Sequence, residues 1–133
     1  MANYYGFTRT NYFRIKNEEA FKEYINTLAT TDGDFELWTK EDNNETYYAF
    51  GGNGSLYSIE NDEEDIYQKL SEYVHQHDAI IITEVGYEKL RYLTGVSMVI
   101  TQKGYEVVDL YDASLNKAKQ LLSDETYKTN FAY

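Results

Sequence analysis

His75 and His77 are the only imidazoles in the chain. Two such rings at i and i+2 can share a metal ion from one face of a strand. Here they follow an acid-rich segment with helical spacing, so they are expected at a helix C-terminus, where histidine commonly serves the helix dipole. Asp32-Gly33-Asp34 and residues 61–65 hold calcium-type oxygen ligands. Neither has the twelve-residue EF-hand order that ends in glutamate. Gly51-Gly52-Asn53-Gly54 is glycine-rich but lacks the lysine and hydroxyl residue of a phosphate-binding loop. No G-x-S-x-G nucleophile turn occurs. Glu84 and Glu88 flank a turn and could act as a carboxylate pair; the alternative for Glu84 is a cross-strand ion pair with Lys89 or Arg91. No catalytic residue, metal or cofactor is expected, and the chain is expected to be non-enzymatic.

Charge carries a stronger signal. The chain has 12 basic and 23 acidic side chains, a net charge of −11. Residues 1–16 carry a net +3, residues 17–88 a net −15, and residues 89–133 a net +1. Eleven carboxylates stand out in the acidic middle: Asp32, Asp34, Glu36, Glu41, Asp42, Glu45, Glu60, Asp62, Glu63, Glu64 and Asp65. The plain reading is a solvated face that opposes aggregation. The sharper one is an anionic surface that stands in for nucleic-acid phosphates, since a duplex presents a dense row of negative charge. Such a mimic would bind a basic nucleic-acid-binding protein and would weaken with salt. The same balance argues against direct binding of nucleic acid or of an anionic membrane.

The cations have a pattern of their own. Arg9, Arg14 and Lys16 lie in an aromatic N-terminal stretch, and Lys89 and Arg91 lie at the start of a long apolar segment. If the two segments pair, Arg9, Arg14, Lys89 and Arg91, with Glu84, make a tyrosine-lined ligand patch, in which guanidinium forks would grip phosphate and rings would stack on a base. The plain alternative is salt bridging to the acidic excess.

These residues need a frame. Residues 79–110 are the most regularly apolar part of the sequence and read as three strands, at 80–85, 90–101 and 105–110. The continuous run at 80–85 has the look of a strand buried on both faces. Lys103-Gly104 reads as a two-residue hairpin turn. Upstream, a strand is expected at 11–16, with an earlier extended segment before it. A helix at 18–29 is capped by Asn17. Strands follow at 35–40 and 46–50, separated by a polar turn, and the glycine cluster at 51–54 should break the second. Residues 55–59 form a short strand or an irregular segment. A second helix spans 62–75, capped by Asn61 or Asp62. A third begins at Asp112 or Ser114, with Leu115, Ala118 and Leu122 inward, and residues 124–133 read as a tail. The expectation is one domain over residues 1–133, of α+β class, with a mostly antiparallel sheet of about five to six strands and about three helices packed on one face.

The remaining composition sets limits. Without cysteine there is no disulfide framework and no thiolate site, which fits a reducing cytoplasm. No signal peptide or membrane span is evident. Tyrosine is abundant, at 15 residues, and suits both half-buried strands and interfaces.

Two segments resemble a known family. The opening MANYYGFTRTNYFRIK fits the pattern M-A-N-Y-Y-x-x-x-R-x-N-Y-F-x-V-K, with Ile15 in place of valine, and Glu84 to Gly95, EVGYEKLRYLTG, fits E-x-G-x-E-K-L-R-Y-x-x-G. Both patterns are those of small acidic proteins carried by phages, plasmids and integrative elements. The resemblance brings no catalytic residue with it. It implies a mobile-element setting inside a bacterial cytoplasm, where small acidic proteins often act as anti-CRISPR or anti-restriction inhibitors. The expectation is therefore a counter-defence inhibitor that meets a basic partner, such as a Cas effector, through the acidic middle. The alternative is a module that sequesters a nucleotide signal in the Arg/Tyr patch.

Overall fold

A computed structural model describes residues 4–89 and 92–130. Its centre is a six-stranded antiparallel sheet in the order β3-β4-β1-β6-β7-β8. The strands are β1 (Tyr4–Thr10), β3 (Glu36–Asp42), β4 (Glu45–Asn53), β6 (Ile80–Glu88), β7 (Tyr92–Thr101) and β8 (Gly104–Asp109). A second ribbon pairs β2 (Leu28–Thr30) with β5 (Leu56–Ser58). The helices are α1 (Glu18–Ile25), α2 (Ile66–Ser71) and α3 (Leu110–Leu122). The α+β class and the mostly antiparallel sheet agree with the sequence reading. Among the described residues no helix is long and apolar enough to cross a membrane.

The core lies on one face of the sheet. Tyr48 and Phe50 of β4, Ile80 and Ile82 of β6 and Ile100 of β7 point to it, and α1 and α2 close it with Phe21, Ile25, Ile66 and Leu70. Phe13 is fully buried at its centre and meets Phe21 and Phe50 edge-on, with centroids 5.7 and 6.2 Å apart. Strands alternate their faces, so Tyr5, Phe7, Val85, Tyr87 and Leu93 point the other way and stay exposed.

Several sequence expectations are corrected here. The segment 11–16 is not a strand; it makes only isolated bridges, Phe13 with Tyr48 and Ile15 with Val74. The reason is Asn11, whose side chain accepts from Ile81 N at 2.8 Å and donates to Ala79 O at 3.0 Å, so it ends the β1–β6 ladder. The first strand is instead the earlier extended segment, β1. Helix α1 stops at Ile25, and Leu28, which has helical spacing, belongs to β2. Gly51 and Gly52 do not break β4. They let it run on, because a Cβ at Gly51 would lie 2.5 Å from Thr8 O and one at Gly52 would run into Thr30 Oγ1.

Helix α2 starts later than expected. Asn61 Oδ1 accepts from Glu63 N in a turn of its own, and the N-cap is Asp65, whose carboxylate accepts from Gln68 N at 3.1 Å. The N-cap of α3 is Asp109, not Asp112 or Ser114; it accepts from Tyr111 N and Asp112 N. The β7–β8 turn is Gln102-Lys103, one residue earlier than expected, with Gly104 paired to Thr101. Asn43 and Asn44 make the β3–β4 turn, both with positive φ (53° and 65°), the backbone of a type I′ hairpin. The run at 80–85 is buried on one face only, since Ile81 and Val85 are exposed. Helix α3 does not join the other two: Leu110 packs over Gly95, whose absent side chain would point to the sheet's open face. The strand start expected at Leu90 and the aromatic residues Phe131 and Tyr133 of the expected tail lie outside the described residues.

Candidate functional site

The acidic middle folds into two groups. Asp32 and Asp34 lie in the turn between β2 and β3, where Asp32 N donates to Asn53 O and Asp34 Oδ2 accepts from Asn53 Nδ2 at 2.7 Å. Glu36 follows, opposite Gly51. Glu60, Asp62, Glu63, Glu64 and Asp65 form the loop that leads from β5 into α2. These two clusters lie at opposite ends of the short β2–β5 ribbon, Asp32 beside Asn53 and Glu60 just beyond Ile59, which meets Thr27, so they are about 20 Å apart. Eight of the eleven carboxylates therefore flank the two ends of one ribbon, three near one end and five near the other. Glu41, Asp42 and Glu45 stand apart, at the tip of the β3–β4 hairpin. This lies about 20 Å away along β3, as its seven residues span.

Their partners separate structural carboxylates from free ones. Glu64 is half-buried and accepts from the Tyr24 hydroxyl at 3.0 Å. Burial, and then this bond, pushes the Tyr24 phenol well above its ordinary range. Asp65 caps α2 and accepts from the Tyr105 hydroxyl at 2.6 Å. The bond from Tyr105 holds the Asp65 carboxyl below its usual range and raises the Tyr105 phenol. Glu45 pairs with Arg14 Nη1 at 3.3 Å. Among the described residues it is the only one of the eleven in an ion pair. Asp32, Glu36, Glu41, Asp42, Glu60, Asp62 and Glu63 are all exposed.

The basic residues do not converge. Arg9 points to the open face, its guanidinium 4.8 Å from the Trp38 ring centroid. Arg14 sits past the C-terminal end of β1, where Asp78 Oδ2 accepts from its backbone N at 2.9 Å and from Nε at 3.2 Å. That bond raises the Arg14 guanidinium further. Lys89 follows β6 with a φ of 54°. Because Tyr4 pairs with Glu88 and Arg9 with Thr83, Lys89 and Arg9 lie at opposite ends of β1, about 20 Å apart. Arg91 lies outside the described residues.

Glu84 points to the core side of the sheet. It makes no ion pair with Lys89, and the alternative partner, Arg91, lies outside the described residues. Instead its Oε2 accepts from the Tyr4 hydroxyl at 2.6 Å and from Ser55 Oγ at 3.0 Å. Burial first, and then Glu84, pushes the Tyr4 phenol up to about 12. Glu88 lies four residues along the same strand, about 13 Å from Glu84, too far for the two carboxyls to share a proton. The histidine pair follows α2, with ring centroids 5.7 Å apart, and His77 N donates to His75 Nδ1 at 3.0 Å. No group of three metal-ligating side chains occurs among the described residues.

One surface was not singled out by its sequence. On the open face, Tyr5, Phe7, Val85, Tyr87, Leu93 and Leu110 line a shallow apolar depression of about 590 Å³, with Lys89 at its rim. Tyr5 and Tyr87 face each other across the β1–β6 ladder, centroids 5.6 Å apart. The signal was present as apolar residues at both parities of 4–7 and 80–87, which a strand exposed on one face does not require.

Comparison with protein-family models, with curated proteins and with solved structures found no match.

Proposed function

We propose that the protein is a non-enzymatic inhibitor that occupies the nucleic-acid-binding surface of a basic partner, in the manner of a DNA mimic. The carboxylates around the β2–β5 ribbon would take the place of phosphates. The observation that carries this reading is the state of those carboxylates. Asp32, Glu36, Glu60, Asp62 and Glu63 are exposed and have no cationic partner among the described residues. A surface made only for solubility needs no such grouping, whereas a mimic needs unneutralised charge on a rigid frame. The mobile-element resemblance of the two sequence segments points to a defence nuclease as the target, with a CRISPR effector foremost.

The frame also decides which substitutions are informative. Glu64 and Asp65 hold Tyr24, Tyr105 and the start of α2, so reversing them would disturb the fold. Glu60, Asp62 and Glu63 have no such duty. Inhibition of nuclease cleavage by Glu60→Lys/Asp62→Lys/Glu63→Lys should fall by about tenfold or more, with thermal unfolding unchanged. Inhibition equal to that of the wild type would refute the proposal.

A further inference from the structure

The chain holds an uncovered sheet face and an unpacked helix, and they adjoin. Helices α1 and α2 close one face of the sheet, but no described element closes the other. There Tyr5, Phe7, Val85, Tyr87, Leu93 and Leu110 are each about half exposed, between 48% and 61%. Helix α3 starts on this face, with Leu110 over Gly95, yet none of its 13 residues is buried. Its far end presents Leu121 at 80% and Leu122 at 57% exposure. A helix of this length is marginal in water without packing on a neighbour. Its local signals are nonetheless complete: Asp109 caps the start and Ser123, in the left-handed region, caps the end.

From these we infer that the open face is a homodimer interface, in which α3 and the apolar depression of one copy meet those of a second copy across a twofold axis.

Charge selects this occupant. The chain carries −11, so most of its surface would repel another copy. Among the described residues the apolar depression is lined by no acid, and Lys89 is its one charged residue. A basic partner would find no carboxylate there to meet it, whereas a second copy meets apolar side chains with apolar side chains. A twofold contact is also self-complementary, so one face suffices for both partners. The area is adequate. With Val108, Leu121 and Leu122 added, nine side chains exposing on the order of 100 Å² each offer roughly 900 Å² per copy, about what a standard-size interface buries on each side. Between the copies the cross-strand pair Thr83 and Ser97, whose hydroxyls lie 2.8 Å apart, satisfies its own polar atoms and tolerates burial.

The test is sedimentation equilibrium of the full chain over a wide concentration range, with two variants on different elements, Phe7→Lys and Leu122→Lys. Both sites are exposed, so each variant should keep its circular dichroism and unfolding temperature. The wild type should reach twice its 15.6 kDa mass, persisting in high salt, and both variants should remain monomeric. A wild type that stays monomeric at all concentrations overturns the inference, and so does a dimer that survives either substitution. The Glu60/Asp62/Glu63 reversal should dimerise as the wild type does, so loss of dimerisation and loss of inhibition are read separately.

Discussion

The Tyr4 hydroxyl donates to Glu84 Oε2 at 2.6 Å, tying β1 to β6 beneath Gly6 and Gly86. A Cβ at either glycine would run into the Tyr4 ring, so the pair of glycines makes room for this one contact. The opening segment and the segment from Glu84 to Gly95 therefore meet here, one supplying Tyr4 and the other Glu84. Their joint role is structural.

A pH dependence follows from that bond. The Tyr4 phenol is raised from 10.0 to about 12, first by burial and then by Glu84. A group with a raised folded pKa contributes its stability in full below the unfolded value and loses it as pH rises through the folded one. Urea unfolding should therefore show alkaline destabilisation beginning near pH 10 and continuing toward about 12. In Tyr4→Phe this alkaline slope should be shallower, while stability at neutral pH falls by the lost hydrogen bond.

Asp65 gives the opposite case. Its carboxyl lies below the ordinary 3.8, first through the Tyr105 hydroxyl and then through Gln68 N. With a depressed folded pKa its contribution is present above 3.8 and disappears as pH falls through the lower folded value. Carboxyl-carbon chemical shifts followed against pH should place Asp65 below 3.8 in the wild type. Tyr105→Phe should move that titration upward, whereas Tyr24→Phe, at the neighbouring Glu64, should not.

The core has a keystone in Phe13. It is fully buried and reaches the core from a segment that is neither helix nor ladder strand. Phe13→Ala should destabilise the fold by about 3–5 kcal/mol, since the rings of Phe21 and Phe50 are fixed by other elements and cannot close the cavity. Chemical denaturation with an unchanged m-value would check this.

Much of this architecture was legible in the residues. The hairpin strands at 80–110, the Asn17 cap and the α+β class all follow from period and turn chemistry. Two of the errors come from side chains that compete for backbone hydrogen bonds, and another from a close approach between segments distant in sequence. Asn11 ends a strand by bonding the opposite strand directly. Asn61 makes a turn where a helix cap was expected, leaving the cap to Asp65. Gly51 and Gly52, by local rule a break, serve a close approach by Thr8 and Thr30 that is distant in sequence. For the candidate site, composition could reveal the carboxylates but not their duties. Only tertiary contacts separate Glu64 and Asp65, committed to Tyr24 and Tyr105, from Glu60, Asp62 and Glu63. The open apolar face was hidden because an apolar run reads the same whether one side or both are covered.

The central claim is that the ribbon carboxylates replace nucleic acid on a basic partner. The most direct measurement is competition on a purified CRISPR effector, titrating the protein against labelled duplex DNA at several salt concentrations. Protein and duplex should exclude each other, and the protein's affinity should fall steeply as salt rises. Simultaneous binding of both, or an affinity indifferent to salt, would contradict it.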